Sequence, residues 1–128
     1  MDIVFAGTPR FAADHLKLLV DSQHEIKCIL TQPDRGSGRG KKVIPSPVKE
    51  IGINNGIEVL QPNSLKDESI VRSLESLKPD LLLVVAYGLL IPKKVLDIAE
   101  KGSINIHASI LPRWRGAAPM EYSIYSGD

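Results

Sequence analysis

The sequence predicts an α/β fold of the doubly wound, Rossmann-like type, with a mostly parallel sheet and helices on both faces. Apolar runs that suit strands alternate with segments in which apolar residues recur at helical spacing. Residues 81–86 are apolar at every position, which is typical of a central strand covered on both faces. With 128 residues, of which 43% are hydrophobic, the chain can bury one core, so we expect one domain.

The chain begins with a strand, a turn and a helix. Residues 2–6 are the strand, Gly7-Thr8-Pro9 closes it, and residues 11–20 have the apolar spacing of a helix. A second strand follows at residues 26–31. The turn holds one glycine, so it lacks the three-glycine fingerprint of dinucleotide sites, and we expect neither NAD nor FAD.

Helix signals also mark the middle of the chain. Ser46 suits an N-cap, with Pro47 at the first helical position, and predicts a helix to about residue 54 that Gly56 ends. Residues 57–60 suit a short strand. Asp67 or Ser69 then starts a helix that Pro79 stops.

After the central strand, Tyr87-Gly88 opens a turn and residues 92–100 predict a helix of about two turns. Gly102 then leads into a strand at residues 103–107. We expect a helix to end at Gly127, which leaves the 103–107 strand at an unpaired edge of the sheet.

Residues Asn105 and His107 are the first candidates for chemistry. Alternate side chains of a strand share a face, so the two are neighbours at the strand end. An amide that stabilises an oxyanion, beside an imidazole that moves protons, suits acyl or formyl transfer. The alternative is that His107 is a structural or surface histidine.

Three turns are expected to meet near this pair. In open sheets of this kind, ligands lie beyond the carboxyl ends of the strands. The turns at Gly7 and at Tyr87-Gly88 fall at that edge, as does His107. The sequence therefore predicts a cleft there, without naming its ligand.

The second candidate site is the segment 32–47, which we expect to be a long loop without its own strands or helices. It holds four cations, Arg35, Arg39, Lys41 and Lys42, against one acid, Asp34. Glycine-flanked cations can close on a polyanion such as nucleic acid. A solvated basic loop is the alternative.

Composition limits the other possibilities. The net charge of +1 is too small to indicate a protein that binds nucleic acid or membranes through its overall charge. No apolar run approaches the roughly 18 residues of a membrane span. The single cysteine, Cys28, should pack as a small hydrophobe, and neither His15 nor His24 has metal-like spacing to other ligands. We expect an untargeted, cytoplasmic monomer without a metal.

The motif around the site resembles a known signature. Asn-x-His-x-Ser-x-Leu-Pro at residues 105–112, followed by Arg-x-Arg-Gly-Ala-Ala-Pro at residues 113–119, is similar to that of the folate-dependent formyltransferases. The resemblance extends over the whole chain, from residues 4–9 through 86–88 to 126–128. Ile110 departs from the usual leucine, and residues 120–121 depart from a usual isoleucine and glutamine.

The resemblance implies transfer of a formyl group from 10-formyltetrahydrofolate to an amine. Asn105 would stabilise the oxyanion and His107 would shuttle protons. The implied folate contacts are Tyr87, Gly88, Leu89 and Leu90 on one wall and Ser109, Ile110, Leu111 and Pro112 on the other.

The basic segment resembles a loop of the family members that formylate methionyl initiator tRNA, where it contacts the tRNA acceptor arm. Residues 1–128 then correspond to the N-terminal portion of the catalytic domain, without the family's catalytic Asp and without its C-terminal tRNA-binding domain. Asp80, Asp97 and Asp128 are poor substitutes for that Asp. We therefore expect these residues alone to be inactive or nearly so.

Three alternatives stay open. A formyltransferase acting on glycinamide ribonucleotide or an amino sugar would use the same Asn105 and His107, but would have little need for the basic loop. A non-catalytic module could hold folate or RNA without turnover. A formyl-folate hydrolase could use water in place of the amine.

Overall fold

The computed structural model describes residues 1–37, 42–108 and 120–125. The strands are β1 (Asp2–Gly7), β2 (Glu25–Leu30), β3 (Arg35–Ser37), β4 (Lys42–Ile44), β5 (Val59–Leu60), β6 (Leu81–Val85), β7 (Ser103–Ala108) and β8 (Met120–Tyr125). The helices are α1 (Arg10–Val20), α2 (Pro47–Asn54), α3 (Glu68–Leu77) and α4 (Lys93–Leu96).

Six strands form the main sheet, in the order β5-β2-β1-β6-β7-β8. The first five are parallel to one another, and only β8 is antiparallel to its neighbour. The chain moves outward from β1 to β2 and β5, then returns to β6 on the other side of β1. This reversal confirms the doubly wound class and the central position of residues 81–85.

The helices cover both faces of the sheet, as the sequence predicts. Buried residues of α1 and α2, among them Leu16 and Val48, pack with Phe5 and Leu83 on one face. Buried residues of α3 and α4, including Leu74 and Val95, pack with strand residues on the other face. Because β1 and β6 are buried on both faces, they read in the sequence as continuous apolar runs.

The predicted helix starts are confirmed at their capping bonds. The Ser46 hydroxyl accepts a hydrogen bond from the Lys49 backbone N–H at 3.0 Å, and Asp67 Oδ1 accepts one from the Ser69 N–H at 2.9 Å. Each cap satisfies a backbone donor that the first helical turn leaves open. The strand predicted at residues 57–60 is shorter, Val59–Leu60, because the Ile57 N–H instead bonds to the Gly52 carbonyl at the helix end.

The prediction for residues 92–100 is wrong in length, because α4 is a single turn, Lys93–Leu96. The chain then turns toward the loop that precedes β6. There the Glu100 and Lys101 N–H groups donate to the carbonyls of Pro79 and Asp80. These long-range hydrogen bonds replace the i→i−4 bonds that a longer helix would need.

Two further predictions are wrong. The helix expected before Gly127 is strand β8, which pairs antiparallel with β7 from Ser103↔Tyr125 to Ala108↔Met120, so the β7 edge is covered. The segment 32–47 is not devoid of structure, since β3 and β4 pair within it as an antiparallel hairpin. In both cases the backbone groups form hydrogen bonds with a paired strand, which the local sequence pattern did not predict.

Candidate active site

An open cleft of about 610 Å³ lies at the carboxyl end of β6 and β7. Its lining consists of Val84, residues 86–91, Leu96 and residues 105–107. This is the edge of the sheet at which the sequence predicts a ligand site. The volume falls within the roughly 300–1,000 Å³ of small-molecule sites.

Asn105 and His107 reach the cleft because of the register of β7. Asn105 pairs with Val84 of β6, and both residues line the cleft. Ser103, two residues before Asn105, lies on the same face of β7, and its hydroxyl donates to the Leu96 carbonyl at 3.0 Å. Asn105 is half-buried and His107 is exposed. An amide and an imidazole thus stand two residues apart at the cleft, as predicted.

The turn after β6 forms the second wall. Ala86 and Gly88 both have positive φ, at 52° and 91°, so the chain reverses sharply around Tyr87. The Tyr87 carbonyl accepts hydrogen bonds from Thr8 Oγ1 at 2.9 Å and from Gln32 Nε2 at 3.0 Å. Donors from the ends of β1 and β2 therefore hold this wall, and the bond from Thr8 joins two of the three turns that the sequence places at this edge.

Gly88 is a position where a side chain would be strained and would displace Gln32. A Cβ added there would lie 1.9 Å from Gln32 Nε2, the group that bonds the Tyr87 carbonyl. Its φ also lies in the region that side-chain-bearing residues rarely adopt. The close approach of the turn to Gln32 depends on this glycine.

The Tyr87 side chain is buried, with 2% of its surface exposed. Its hydroxyl has no hydrogen-bond partner within the part of the chain that the structure describes. Burial raises the pKa of Tyr87 to about 12, so the phenol is neutral at physiological pH. The Leu90 side chain, in contrast to that of Tyr87, is 74% exposed, and it offers apolar surface to a ligand in the cleft.

The structure brings together two of the predicted groups, residues 87–90 and the pair Asn105 and His107. Ser109, Ile110, Leu111 and Pro112 lie outside the described residues, as do Arg39 and Lys41. Arg35 and Lys42 belong to β3 and β4, where they pair with Ile44 and Ser37.

Sequence reasoning missed the residues that support the site. Thr8 and Gln32 hold the Tyr87 carbonyl, and Leu96 adds to the lining. The only signal for Thr8 was its place in the turn after β1, and no local signal distinguishes Gln32. Both act across long sequence separations.

The titratable residues set aside from the sequence have structural contacts. Asp80 accepts a hydrogen bond from the Asp2 N–H, and Asp97 pairs with Lys93 at 3.1 Å. His15 Nδ1 donates to the Phe11 carbonyl at 2.8 Å. The Cys28 thiol is buried as expected, and burial raises its pKa to about 12. None of these side chains lines the cleft.

Within residues 1–37, 42–108 and 120–125, no group of three or more His, Cys, Asp or Glu side chains is placed to hold a metal ion. In the same ranges, no helix has the length and apolar character to cross a membrane.

The comparison with family models defines the class of protein. The model described as formyl transferase matches residues 1–128, which is the whole chain. The chain therefore belongs to the formyl transferase family. The amide and imidazole at the cleft are consistent with this class, since both groups suit chemistry at a carbonyl carbon.

Individual relatives narrow the comparison. The chain is 58% identical over 126 residues to methionyl-tRNA formyltransferase of Pseudomonas fluorescens (strain Pf0-1), covering 98% of this chain and 40% of the relative. Its similarity to the methionyl-tRNA formyltransferase of Ectopseudomonas mendocina (strain ymp) gives the same figures. The chain thus spans about two fifths of the length of these curated relatives.

Among solved structures, the chain is similar to phosphoribosylglycinamide formyltransferase from Anaplasma phagocytophilum. The TM-score is 0.66 at 18% sequence identity, with 99% of this chain and 65% of the other covered. At this identity the likeness supports the fold alone. It agrees with the parallel sheet and the position of its helices described above.

Proposed function

We propose that this chain is part of a methionyl-tRNA formyltransferase, which transfers a formyl group from 10-formyltetrahydrofolate to the amino group of methionyl initiator tRNA. The observation that carries the proposal is the 58% identity to proteins of that name over 98% of the chain. Residues 1–128 then form the N-terminal portion of the catalytic domain. We propose the activity for the full-length protein, with these residues alone inactive or nearly so.

The cleft fits a flat ligand that is apolar along one side and polar at its edges. Leu89, Leu90 and Ile91 provide apolar surface, and Asn105 provides a polar group beside it. We assign folate contacts to residues 87–90 on this wall and, from the resemblance of the motif, to residues 109–112. 10-Formyltetrahydrofolate supplies the formyl group when bound.

Asn105 has the role of oxyanion donor. When the methionyl amine attacks the formyl carbon, negative charge develops on the formyl oxygen. An amide N–H held by a strand of the sheet stabilises that charge without reorganising at the moment of reaction. The pairings of β7 with β6 and with β8 support this role, because together they hold the Asn105 backbone on both sides.

His107 has the role of proton carrier. Its protonated form shares the developing negative charge and donates its proton to the departing folate nitrogen, and the neutral imidazole that results accepts the proton that the attacking amine loses on forming the new C–N bond. Its exposed side chain at the cleft supports this role, since both proton donor and acceptor must reach it. Proton transfer of this kind contributes typically about 10²–10⁴-fold in rate.

The hairpin that contains β3 and β4 is assigned to tRNA. Its segment carries Arg35, Arg39, Lys41 and Lys42, and each cation that meets a phosphate adds salt-dependent affinity. A formyltransferase for a small amine has little need for such a segment. The identity to methionyl-tRNA formyltransferases, against 18% for a phosphoribosylglycinamide enzyme, supports the same choice.

The test uses the full-length protein that contains this sequence. It is incubated with 10-formyltetrahydrofolate and, separately, with methionyl initiator tRNA, glycinamide ribonucleotide, an amino sugar or no acceptor. We expect formyl-methionyl-tRNA as the only transfer product. Formylation of a small amine, formate release that needs no acceptor, or folate binding without turnover would each replace the proposal with the corresponding alternative.

A further inference from the structure

The base of the hairpin is closed by an ion pair. Lys49 Nζ, in the first turn of α2, donates to Asp34 Oδ2 at 2.6 Å. Asp34 directly precedes β3, and Lys49 lies five residues after the end of β4. The two side chains are only 25% and 21% exposed, so this pair is more enclosed than the other ion pairs among the described residues.

The second carboxylate oxygen of Asp34 is also bonded. Gln61, just after β5, donates from Nε2 to Asp34 Oδ1 at 2.8 Å and to the Gln32 carbonyl at 3.2 Å. Three segments that are distant in sequence therefore meet at one carboxylate. These two partners hold the pKa of Asp34 below its usual range, so it is ionised at neutral pH.

The chain that leaves the hairpin after β4 is also hydrogen-bonded to the sheet edge. Ser46 accepts from the Lys49 N–H, and its hydroxyl lies 2.8 Å from that of Thr31, which is fully buried at the end of β2. The entering and leaving strands of the hairpin are thus both joined to the sheet edge. Between these ties, β3 and β4 pair from Arg35↔Ile44 to Ser37↔Lys42.

The same network reaches the cleft wall. Gln32, whose carbonyl accepts from Gln61, donates its own side-chain amide to the Tyr87 carbonyl at 3.0 Å. A continuous series of hydrogen bonds therefore connects Lys49 and Asp34 with the turn that forms the cleft. The hairpin base and the cleft wall are held in one fixed relation.

We infer that Asp34 is a positioning residue for the polyanionic substrate: its bonds to Lys49 and Gln61 clamp the base of the hairpin, directly before β3 and in the first turn of α2, to the sheet edge beside the cleft. This inference rests on the proposed function, in which the hairpin binds tRNA. Asp34 contacts no substrate itself. It acts through the hairpin. Because the base of the hairpin is already held, less conformational entropy is lost when the substrate binds.

The sign of the effect distinguishes this role from simple electrostatics. Asp34 is an acid beside a basic segment, so neutralising it should tighten the binding of a polyanion if net charge alone mattered. If Asp34 clamps the hairpin, Asp34→Asn should weaken binding although the protein becomes more positive. The two explanations therefore predict opposite changes.

The experiment uses full-length protein with three changes, Asp34→Asn, Lys49→Met, and the double exchange Asp34→Lys with Lys49→Asp. The exchange restores an ion pair of reversed orientation, and the new acid stands in the first turn of α2, where a helix favours negative charge. Gln61 can present its carbonyl oxygen to the new lysine. Glu68→Gln is the matched control, because it removes one acid from an exposed ion pair on α3.

The readouts are the Kd for initiator tRNA, the KM values for methionyl-tRNA and for 10-formyltetrahydrofolate, and kcat. We expect Asp34→Asn to raise the tRNA Kd and KM about tenfold, with the folate KM and kcat little changed. The exchange variant should recover part of that loss, and Glu68→Gln should match wild type.

Tighter or unchanged tRNA binding by Asp34→Asn would overturn the inference. So would equal losses in the folate KM and in kcat, because these would indicate general damage. If wild-type protein neither binds nor formylates the tRNA, the proposed function itself fails. That result is separate, since the wild-type measurement comes first.

Discussion

Asn105 lies directly opposite Val84 across the parallel pairing of β7 with β6. Paired residues of neighbouring strands present their side chains to the same face, and Val84 lines the cleft. His107 returns to that face two residues later. A slip of one residue in this register would turn both polar side chains away from the cleft, so the register of β7 creates the candidate active site.

Replacing Asn105 tests the oxyanion role. We expect Asn105→Ala in the full-length protein to lower kcat by about 10²–10³, because a preorganised donor to the oxyanion is lost. Folate affinity and the denaturation midpoint should change little. Steady-state formylation of methionyl-tRNA measures kcat, and a folate titration measures the folate affinity. Asn63→Ala, at an exposed site outside the cleft lining, is the control; a normal rate for Asn105→Ala would exclude the role.

Replacing His107 tests the proton carrier. We expect His107→Ala to lower kcat by about 10²–10⁴ while the Kd for folate stays close to wild type. The measurement is single-turnover formylation, which isolates the chemical step from tRNA release. His24→Ala serves as control, since His24 accepts a hydrogen bond from the amino terminus and does not line the cleft. Equal rates for the two variants would contradict the assignment.

Removing the hairpin cations tests the tRNA assignment. We expect Arg39→Ala, Lys41→Ala and Lys42→Ala together to weaken tRNA binding and to reduce the slope of log Kd against log salt by up to about three, roughly one per phosphate contact. Folate binding should be spared. The control removes three exposed lysines elsewhere, Lys17, Lys66 and Lys101, for the same change in net charge. Unchanged tRNA affinity across salt, or an equal loss in the control, would reject the assignment.

Gly88 offers a stability test of the cleft wall. Gly88→Ala should cost about 2–3 kcal/mol, from the positive φ and from displacing Gln32, whose hydrogen bond to the Tyr87 carbonyl would be lost. Gly56→Ala is the matched control, because Gly56 also has positive φ but a Cβ there meets nothing within 4 Å. It should cost about 1 kcal/mol. Urea denaturation measures both, and equal costs would show that the approach of Gln32 is unimportant.

The ion pair at the hairpin base predicts a pH dependence. Lys49 and Gln61 lower the pKa of Asp34 in the folded protein, so the pair contributes stability that is fully present above the ordinary carboxyl value of 3.8. That contribution is lost as pH falls through the lowered pKa, where the carboxylate gains its proton. Wild type should therefore exceed Lys49→Met in stability at pH 6, and the gap should close toward pH 3. Denaturant midpoints across this range measure it; a gap that widens on acidification would contradict the pairing.

Much of the fold was predictable because its signals are local. The strand at residues 2–6, the helix capped by Ser46 and the buried run at residues 81–85 each follow from short patterns of polarity and capping. The face shared by Asn105 and His107 follows from strand alternation in the same way. The wrong predictions, at α4, β8 and the hairpin, all concern segments whose backbone hydrogen bonds go to another segment, either the loop before β6 or a paired strand.

Local pattern was thus sufficient for the fold class, the central strand, the candidate pair Asn105 and His107, and the cationic character of the hairpin segment. Long-range contacts alone produced the convergence of Thr8 and Gln32 on the Tyr87 carbonyl and the clamp that Asp34 forms with Lys49 and Gln61. The reason is physical. Capping and periodicity act within a few residues, whereas a hydrogen bond between groups 15 to 79 positions apart exists only once the sheet has brought their segments together.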